Sequence, residues 1–386
     1  MTKSIKLLLT ILICAISFSS FPQSEYDQLK TIIDQNMDLL KVVGYQVSII
    51  DEGELKWNYS AGYKNIETRN LVNDSSLFQI ASCSKPVTAL AIMKLYDQKQ
   101  LDLDDDINKY LPFIVKNPYF PEDTITVRML LTHTSSLREN WNLVGSLLSV
   151  NDVNYNPDSI QQFTKNYYVK KGNHYKKRKN FYKYPPGETR NYSNIAFSLL
   201  AVIVENITSN PFEVYMQKSI FEPLGMSNTY WFLKDIPNDN IVKRHNKKQK
   251  PLINLEYPFY PSSQLFTTTK DYFKILKLMI NNGRLGDGEF LSKGTMQEFL
   301  KIDRKIRKSY LCQATCWFAE VDTTNKTVVY QHTGGLPGVS TSAYFSMDTK
   351  KGIILFLNRS NYSAKESQCL WQTKKAIYNW ELLKSL

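Results

Sequence analysis

Strand-like patterning in this chain is confined to its two ends, so a sheet of any size must join the beginning of the sequence to its end. Residues 46–50 and 55–59 are two such runs. The second alternates Leu55, Trp57 and Tyr59, and Asp51-Glu52-Gly53-Glu54 between the runs has the composition of a tight hairpin turn. Four more strand-like runs, 316–321, 327–331, 340–347 and 353–357, are separated by polar turns such as 322–325 and 348–352. Helix periodicity frames them. Leu29, Ile32, Ile33, Met37 and Leu40 recur at three and four before Gly44, and a last helix at about 364–383 carries Leu370, Ile377, Trp380 and Leu383 on one side. Residues 86–97 and 271–281 also read as helices, and no long alternating run lies between them. The pattern predicts an α+β fold, an antiparallel sheet of two early and about four late strands flanked by terminal helices, with a mostly helical region inserted. The sheet region comprises 24–80 and about 290–386, and the helical region about 81–289. A cleft between sheet and helices follows.

The N-terminus bears on the compartment. Lys3 and Lys6 precede an apolar run from Leu7 to Phe18, with small residues at Ser17, Ser19 and Ser20, the pattern of a signal peptide over residues 1–23. That run is too short for a membrane-spanning helix, which needs roughly 20 residues. An exported protein, periplasmic or extracellular, is therefore expected, with 24–386 as the mature domain. Beyond Cys14 the chain holds Cys83, Cys312, Cys316 and Cys369, an even number that permits disulfides of undecided pairing. The four histidines are scattered, so no metal site is expected. A hydrophobic content of 42% with 22% charged residues excludes disordered and coiled-coil chains, and the net charge of +12 favours partners bearing carboxylates or phosphates.

Three short segments carry the chemistry. Ser82 and Lys85, in Ser82-Cys83-Ser84-Lys85-Pro86, stand three apart at the start of a helix and share a face. A buried, neutral lysine amine one turn beyond a serine can accept its proton. Tyr192-Ser193-Asn194 follows Pro185-Pro186-Gly187-Glu188. A phenol near a lysine can share in proton transfer or relay a proton to a leaving group, and the Asn194 amide can hold a substrate carbonyl. Finally, His332-Thr333-Gly334-Gly335 ends an alternating run, where small residues let a substrate backbone approach and a free N–H completes an oxyanion hole. Each segment alone also fits an ordinary helix start, helix cap or glycine turn.

In this order and spacing the three segments resemble those of the class C β-lactamase-like serine hydrolases, the penicillin-recognising Ser-x-x-Lys enzymes that include D-Ala-D-Ala carboxypeptidases, D-aminopeptidases and esterases. Residues 101–105 and 109–112, 130–135, and 221–226 add to the resemblance, which runs from about residue 25 to the C-terminus. It implies a β-lactamase/transpeptidase-like fold, Ser82 as acylated nucleophile, Lys85 as its proton-transfer partner and Tyr192 as relay to the leaving group. Asn194, His332, Thr333, Gly334 and Gly335 would bind substrate, the Gly335 N–H joining that of Ser82 in the oxyanion hole. The family uses no cofactor or metal. The implied substrate is a small peptide, ester or β-lactam.

Departures from the family pattern bear on substrate choice. His332 takes the place of a lysine, which predicts weaker or pH-dependent recognition of a carboxylate. Ser136 and the pair Ser263-Gln264 stand where relatives have glycines, so the pocket is narrower or its loops follow another path. Cys83 is read as a small buried residue, and His133, His174 and His245 are given no catalytic role. Residues 165–184 hold eight Lys or Arg and no Asp or Glu, interleaved with aromatics, and read as a solvated, mobile loop near the cleft mouth. Export argues against nucleic acid as its partner and for an anionic cell-wall or membrane surface. The contrasting reading of the whole chain is a binding or sensor protein that keeps the fold without turnover.

Overall fold

The computed structural model describes residues 23–148, 159–237, 240–254, 256–307 and 309–379. Residues 1–22 of the expected leader 1–23, and Trp380 and Leu383 of the last predicted helix, lie outside the described residues. The chain forms two units, residues 1–41 with 362–386, and residues 42–361. In the first, helix α1 (Gln23–Leu39) packs with a C-terminal helix (Ala364–Tyr378). Leu29, Ile33 and Met37 are buried on one, and Leu370 and Ile377 on the other. Ser363 and Glu366 form a reciprocal capping box at the start of the second helix.

The larger unit is built on an eight-stranded antiparallel sheet. Its strands are β1 (Gly44–Asp51), β2 (Glu54–Gly62), β3 (Ile302–Lys305), β4 (Cys312–Ala314), β5 (Phe318–Asp322), β6 (Thr327–Leu336), β7 (Val339–Ser346) and β8 (Lys351–Leu357), in the order β3-β4-β5-β6-β7-β8-β1-β2. The two ends of the chain meet where β1 pairs with β8, Tyr45 opposite Leu357 and Ile50 opposite Gly352. Between β1 and β2, Glu52 and Gly53 both have positive φ, 53° and 76°, which is what a two-residue turn of type I′ needs. Six late strands form instead of about four. β3 reads Ile-Asp-Arg-Lys and is mostly exposed, and β4 has three residues, so neither shows hydrophobic alternation.

The helices lie where burial needs them. Helix α2 (Ser84–Asp97) and helix α3 (Asn194–Thr208) are buried on nearly every side, the mark of central core helices rather than surface ones. Helix α4 (Thr269–Ile280) packs on β1 and β8, and its Tyr272 hydroxyl donates to the Cys83 carbonyl at 2.9 Å, tying sheet layer to nucleophile turn. Gly334 is where β6 presses on that turn. A Cβ there would collide with Thr341 Oγ1 and the Ile80 carbonyl, whereas one on Gly335 would meet nothing within 4 Å. Gly334→Ala is thus expected to destabilise the fold by about 1–3 kcal/mol, the usual cost of overpacking. Gly335→Ala should leave the urea midpoint in place.

The basic segment is ordered. It runs through the helix Ile160–Tyr168 and a single turn Lys177–Asn180, and Asn180 Nδ2 donates to the carbonyls of Tyr167 (2.6 Å) and His174 (2.9 Å). Tyr167, Tyr168 and Phe181 are buried while Lys165, Lys170, Lys171, Lys176, Lys177, Arg178, Lys179 and Lys183 are exposed. The expectation of a mobile loop is corrected by this division. Aromatics that looked merely interleaved are the inner face of a platform whose outer face is cationic.

Candidate active site

Ser82 lies in the middle of a 3-10 turn, Ala81–Cys83, that runs into α2. Ala81 has φ of 49°, a left-handed conformation costly for a residue with a Cβ, so the turn must be held from outside. The neighbours that hold it are specific. Thr341 Oγ1 on β7 donates to the Ile80 carbonyl (2.7 Å), Ser84 Oγ to the Ala81 carbonyl (2.7 Å), and the Leu265 N–H to Ser84 Oγ (3.1 Å). Cys83 is wholly buried, its thiol 3.4 Å from the His332 carbonyl, so it serves in packing as expected.

Lys85 is fully buried, and its Nζ lies 3.3 Å from Ser82 Oγ, 2.6 Å from Asn194 Oδ1 and 2.9 Å from the Ser262 carbonyl. Burial pushes its pKa down to about 7, against the pull of the Glu139 charge in the other direction. Two of the three neighbours are pure acceptors. They take both hydrogens of a neutral amine and leave its lone pair for the serine hydroxyl. Tyr192 completes the group, its hydroxyl donating to Ser82 Oγ at 2.9 Å and its ring 4.7 Å from Nζ. Burial raises the phenol well above its ordinary range, so it stays protonated at neutral pH.

Glu139 was not among the residues singled out from the sequence. It is buried at the start of α3, where it accepts from Ser193 Oγ (2.7 Å), Asn194 Nδ2 (2.9 Å) and the Ile195 N–H (3.1 Å), while burial pushes its carboxyl upward. Helix N-termini favour such a charge. Both ends of the Asn194 amide are therefore engaged within the protein, with one hydrogen on Nδ2 left for a substrate. Because Glu139 raises the lysine, Glu139→Gln is expected to lower the Lys85 pKa further. The acid limb of kcat/KM should move to lower pH, and a stopped-flow pH series measures it.

β6 sorts the last segment by its two faces. His332, Gly334 and Leu336 are buried, whereas Thr333 and Gly335 are exposed, the period of two that a strand imposes. The ladder to β5 ends at Gln331 opposite Phe318, so β6 from His332 onward has no β5 partner on that side. The expectation for His332 needs correction. Its Nδ1 contacts the Thr333 carbonyl at 3.0 Å, and burial with the nearby Lys85 pushes its pKa down to about 3. The imidazole is neutral throughout the physiological range, so it supplies neither a charge nor a pH switch near 7.

The substituted glycine positions are also resolved. Ser136 has φ of 56° and its hydroxyl accepts from Asn117 Nδ2 at 2.9 Å. Gln264 is buried, its Oε1 accepting from the Tyr257 N–H (2.5 Å) and its Nε2 donating to the Trp231 carbonyl (2.8 Å). These side chains brace loops rather than fill a pocket. His133, set aside for want of an orienting carboxylate, lies against the site, its ring 4.3 Å from that of Tyr192 and its Nδ1 accepting from the Ser193 N–H at 3.4 Å. Burial keeps it uncharged. The four cysteines among the described residues, Cys83, Cys312, Cys316 and Cys369, are free thiols; Cys312 lies on β4, and Cys316 follows it with a φ of 83°.

Comparison with known proteins follows the same lines. A family model described as Beta-lactamase matches residues 29–376. The chain is 24% identical over 351 residues to Protein flp of Staphylococcus aureus (strain MRSA252), covering 88% of this chain and 64% of that protein, so it spans about two-thirds of that relative's length. Among solved structures, the octameric penicillin-binding protein homologue from Pyrococcus abyssi aligns with a TM-score of 0.75 at 24% identity, covering 93% of this chain and 77% of the other. A class C beta-lactamase mutant aligns with a TM-score of 0.71 at 20% identity, covering 96% and 99%.

Proposed function

The chain belongs to the beta-lactamase family, whose members are serine hydrolases, and from that premise we propose that it cleaves an amide or ester through an acyl-enzyme on Ser82. The observation that carries the reading is the contact of Ser82 Oγ with two proton carriers of opposite readiness, a lysine that is half-deprotonated near pH 7 and a tyrosine that is not. Oγ attacks the substrate carbonyl carbon and its proton passes to Lys85. Donors on the Ser82 and Gly335 backbone stabilise the oxyanion. Collapse breaks the bond to the leaving nitrogen or oxygen, which takes a proton through Tyr192. Lys85, having passed the first proton on through Tyr192, is free again: water attacks the acyl-enzyme and gives its proton to Lys85, which returns it to Ser82 Oγ as the acyl bond breaks and the carboxylic acid leaves. Thr333, on the exposed face of β6, and Asn194 orient the substrate, and the neutral His332 with Gly334 shapes the strand beneath it.

The family acts on β-lactam and peptide substrates. The absence of a charge on His332 favours an amide or ester hydrolase over an efficient β-lactamase. Labelling with a fluorophosphonate tests the reading: modification of wild type and none of Ser82→Ala is expected, and no labelling of either would move the chain to a fold-retaining binding protein.

Two further parts of the proposal concern where the enzyme works. The leader pattern at residues 1–23 supports export to the periplasm or the cell exterior, which N-terminal sequencing of the mature protein checks. The exposed cations of 165–184 support attraction of an anionic wall or membrane surface through long-range steering. Replacing Lys176, Lys177, Arg178 and Lys179 by Gln is expected to flatten the salt dependence of kcat/KM for an anionic substrate. An unchanged salt slope would end that idea.

A further inference from the structure

The cationic platform has two exposed apolar side chains beside it. The stretch from Phe113 to Asn117 alternates inward and outward: Phe113, Val115 and Asn117 are buried, while Ile114 and Lys116 point to solvent, Ile114 with 62% of its surface exposed. Trp141 is exposed to 59% and opens the helix Trp141–Leu148, whose inner side is fixed by the buried Val144. A single exposed apolar side chain is ordinary. Two that flank a block of eight exposed cations call for a partner.

Backbone contacts bring these places together. Asn117 Nδ2 donates to the Tyr182 carbonyl (2.9 Å), the Tyr182 N–H to the Ser136 carbonyl (2.9 Å) and the Arg138 N–H to the Asn180 carbonyl (2.7 Å). Lys177 and Lys183 hold their Nζ 4.3 and 5.5 Å from the centre of the Tyr119 ring. Asn142 and Leu143, directly after Trp141, line one cleft with Lys176 and Lys179. Residues 113–119, 136–143 and 176–183 therefore make one surface. It is tied to the catalytic group as well, because Glu139 turns inward to Ser193 and Asn194 and Trp141, two residues on, turns outward.

Eight cations and no carboxylate in 165–184 require an anionic partner. A wall polymer would meet the cations but offer a tryptophan and an isoleucine nothing apolar to enter. An anionic bilayer offers both, phosphates at the headgroup level and, below them, the interface in which an indole ring settles. Lysine stems are long enough to keep the ammonium among the phosphates while the ring lies deeper.

We propose that this surface docks the enzyme on an anionic lipid bilayer, with Trp141 and Ile114 entering the interface and the cations of 176–183 on lipid phosphates. The inference rests on the anionic-surface reading above and names its partner, a bilayer rather than a wall polymer. A docked enzyme works where acyl compounds that partition into membranes are concentrated.

The test is sedimentation of the protein with phosphatidylcholine vesicles made with and without phosphatidylglycerol, beside a soluble poly(glycerol phosphate) as the wall-polymer probe. Binding is expected only with phosphatidylglycerol. It should weaken by about fivefold in Lys179→Gln, the usual contribution of one surface cation, and by about 10-fold in Trp141→Ser or Ile114→Ser. Lipids brominated in the acyl chain should quench wild-type fluorescence, and that quenching should vanish in Trp141→Phe. Turnover of a soluble uncharged ester by each variant should equal that of wild type, which shows that the fold is kept. No binding to the anionic vesicles, equal binding to both kinds, quenching that persists in Trp141→Phe, or capture by poly(glycerol phosphate) that ignores Trp141 and Ile114 overturns the inference. The salt dependence of kcat/KM separates it from the steering reading. Salt-sensitive turnover without vesicle binding would refute docking and leave steering in place, and vesicle binding by an enzyme of unchanged salt slope would support docking alone.

Discussion

Lys85→Met is expected to lower kcat/KM by about 10³- to 10⁴-fold, toward the upper range for loss of a positioned general base. The side chain is of similar length and apolar, so the buried site keeps its packing while the proton acceptor 3.3 Å from Ser82 is lost. In wild type, kcat/KM should rise with pH through about 7, because only the deprotonated amine can take the serine proton. The variant should lack that limb. Stability should move the other way. The folded pKa of about 7 lies below the ordinary lysine value of 10.5, so between those values the unfolded chain binds a proton that the native state does not. The strain that wild type carries is largest below pH 7 and fades as pH climbs toward 10.5. Lys85→Met should therefore be the more stable protein at pH 6, with the gap narrowing in alkaline urea titrations. A variant less stable at pH 6, with an intact acid limb, would contradict the role assigned to burial.

Tyr192→Phe should cost about 10²- to 10³-fold in kcat/KM on an amide and much less on an ester with a good leaving group, since only the amide needs its leaving nitrogen protonated. The phenol's high pKa points the same way, to a group that delivers a proton rather than removes one. The comparison is a ratio of rates on two substrates sharing one acyl group. An equal loss on both would assign Tyr192 to positioning Ser82 through its 2.9 Å hydrogen bond instead.

What could be read in the sequence divides along a physical line. Ser82 and Lys85 were legible because a helix brings residues three apart onto one face, and the structure places them as that rule requires. Tyr192 and Asn194 were legible through the order of segments, and the structure brings both to Lys85. The hairpin of β1 and β2 was announced by its turn. Glu139 and Ser262 were not legible. Each reaches the site from a separate part of the chain, through a contact that no periodicity encodes. β3 and β4 escaped notice because an edge strand that is short and polar has no alternation to show. His332 was recognised by position, but its charge state depends on burial under neighbours that only the folded chain supplies.

The measurement closest to the central claim is intact-mass spectrometry of wild type and Ser82→Ala after mixing with short esters, D-Ala-D-Ala peptides and a β-lactam. The account predicts a mass gain equal to one acyl group on wild type and none on Ser82→Ala. An adduct of equal yield on Ser82→Ala, or undiminished turnover by it, would contradict an acyl-enzyme at Ser82.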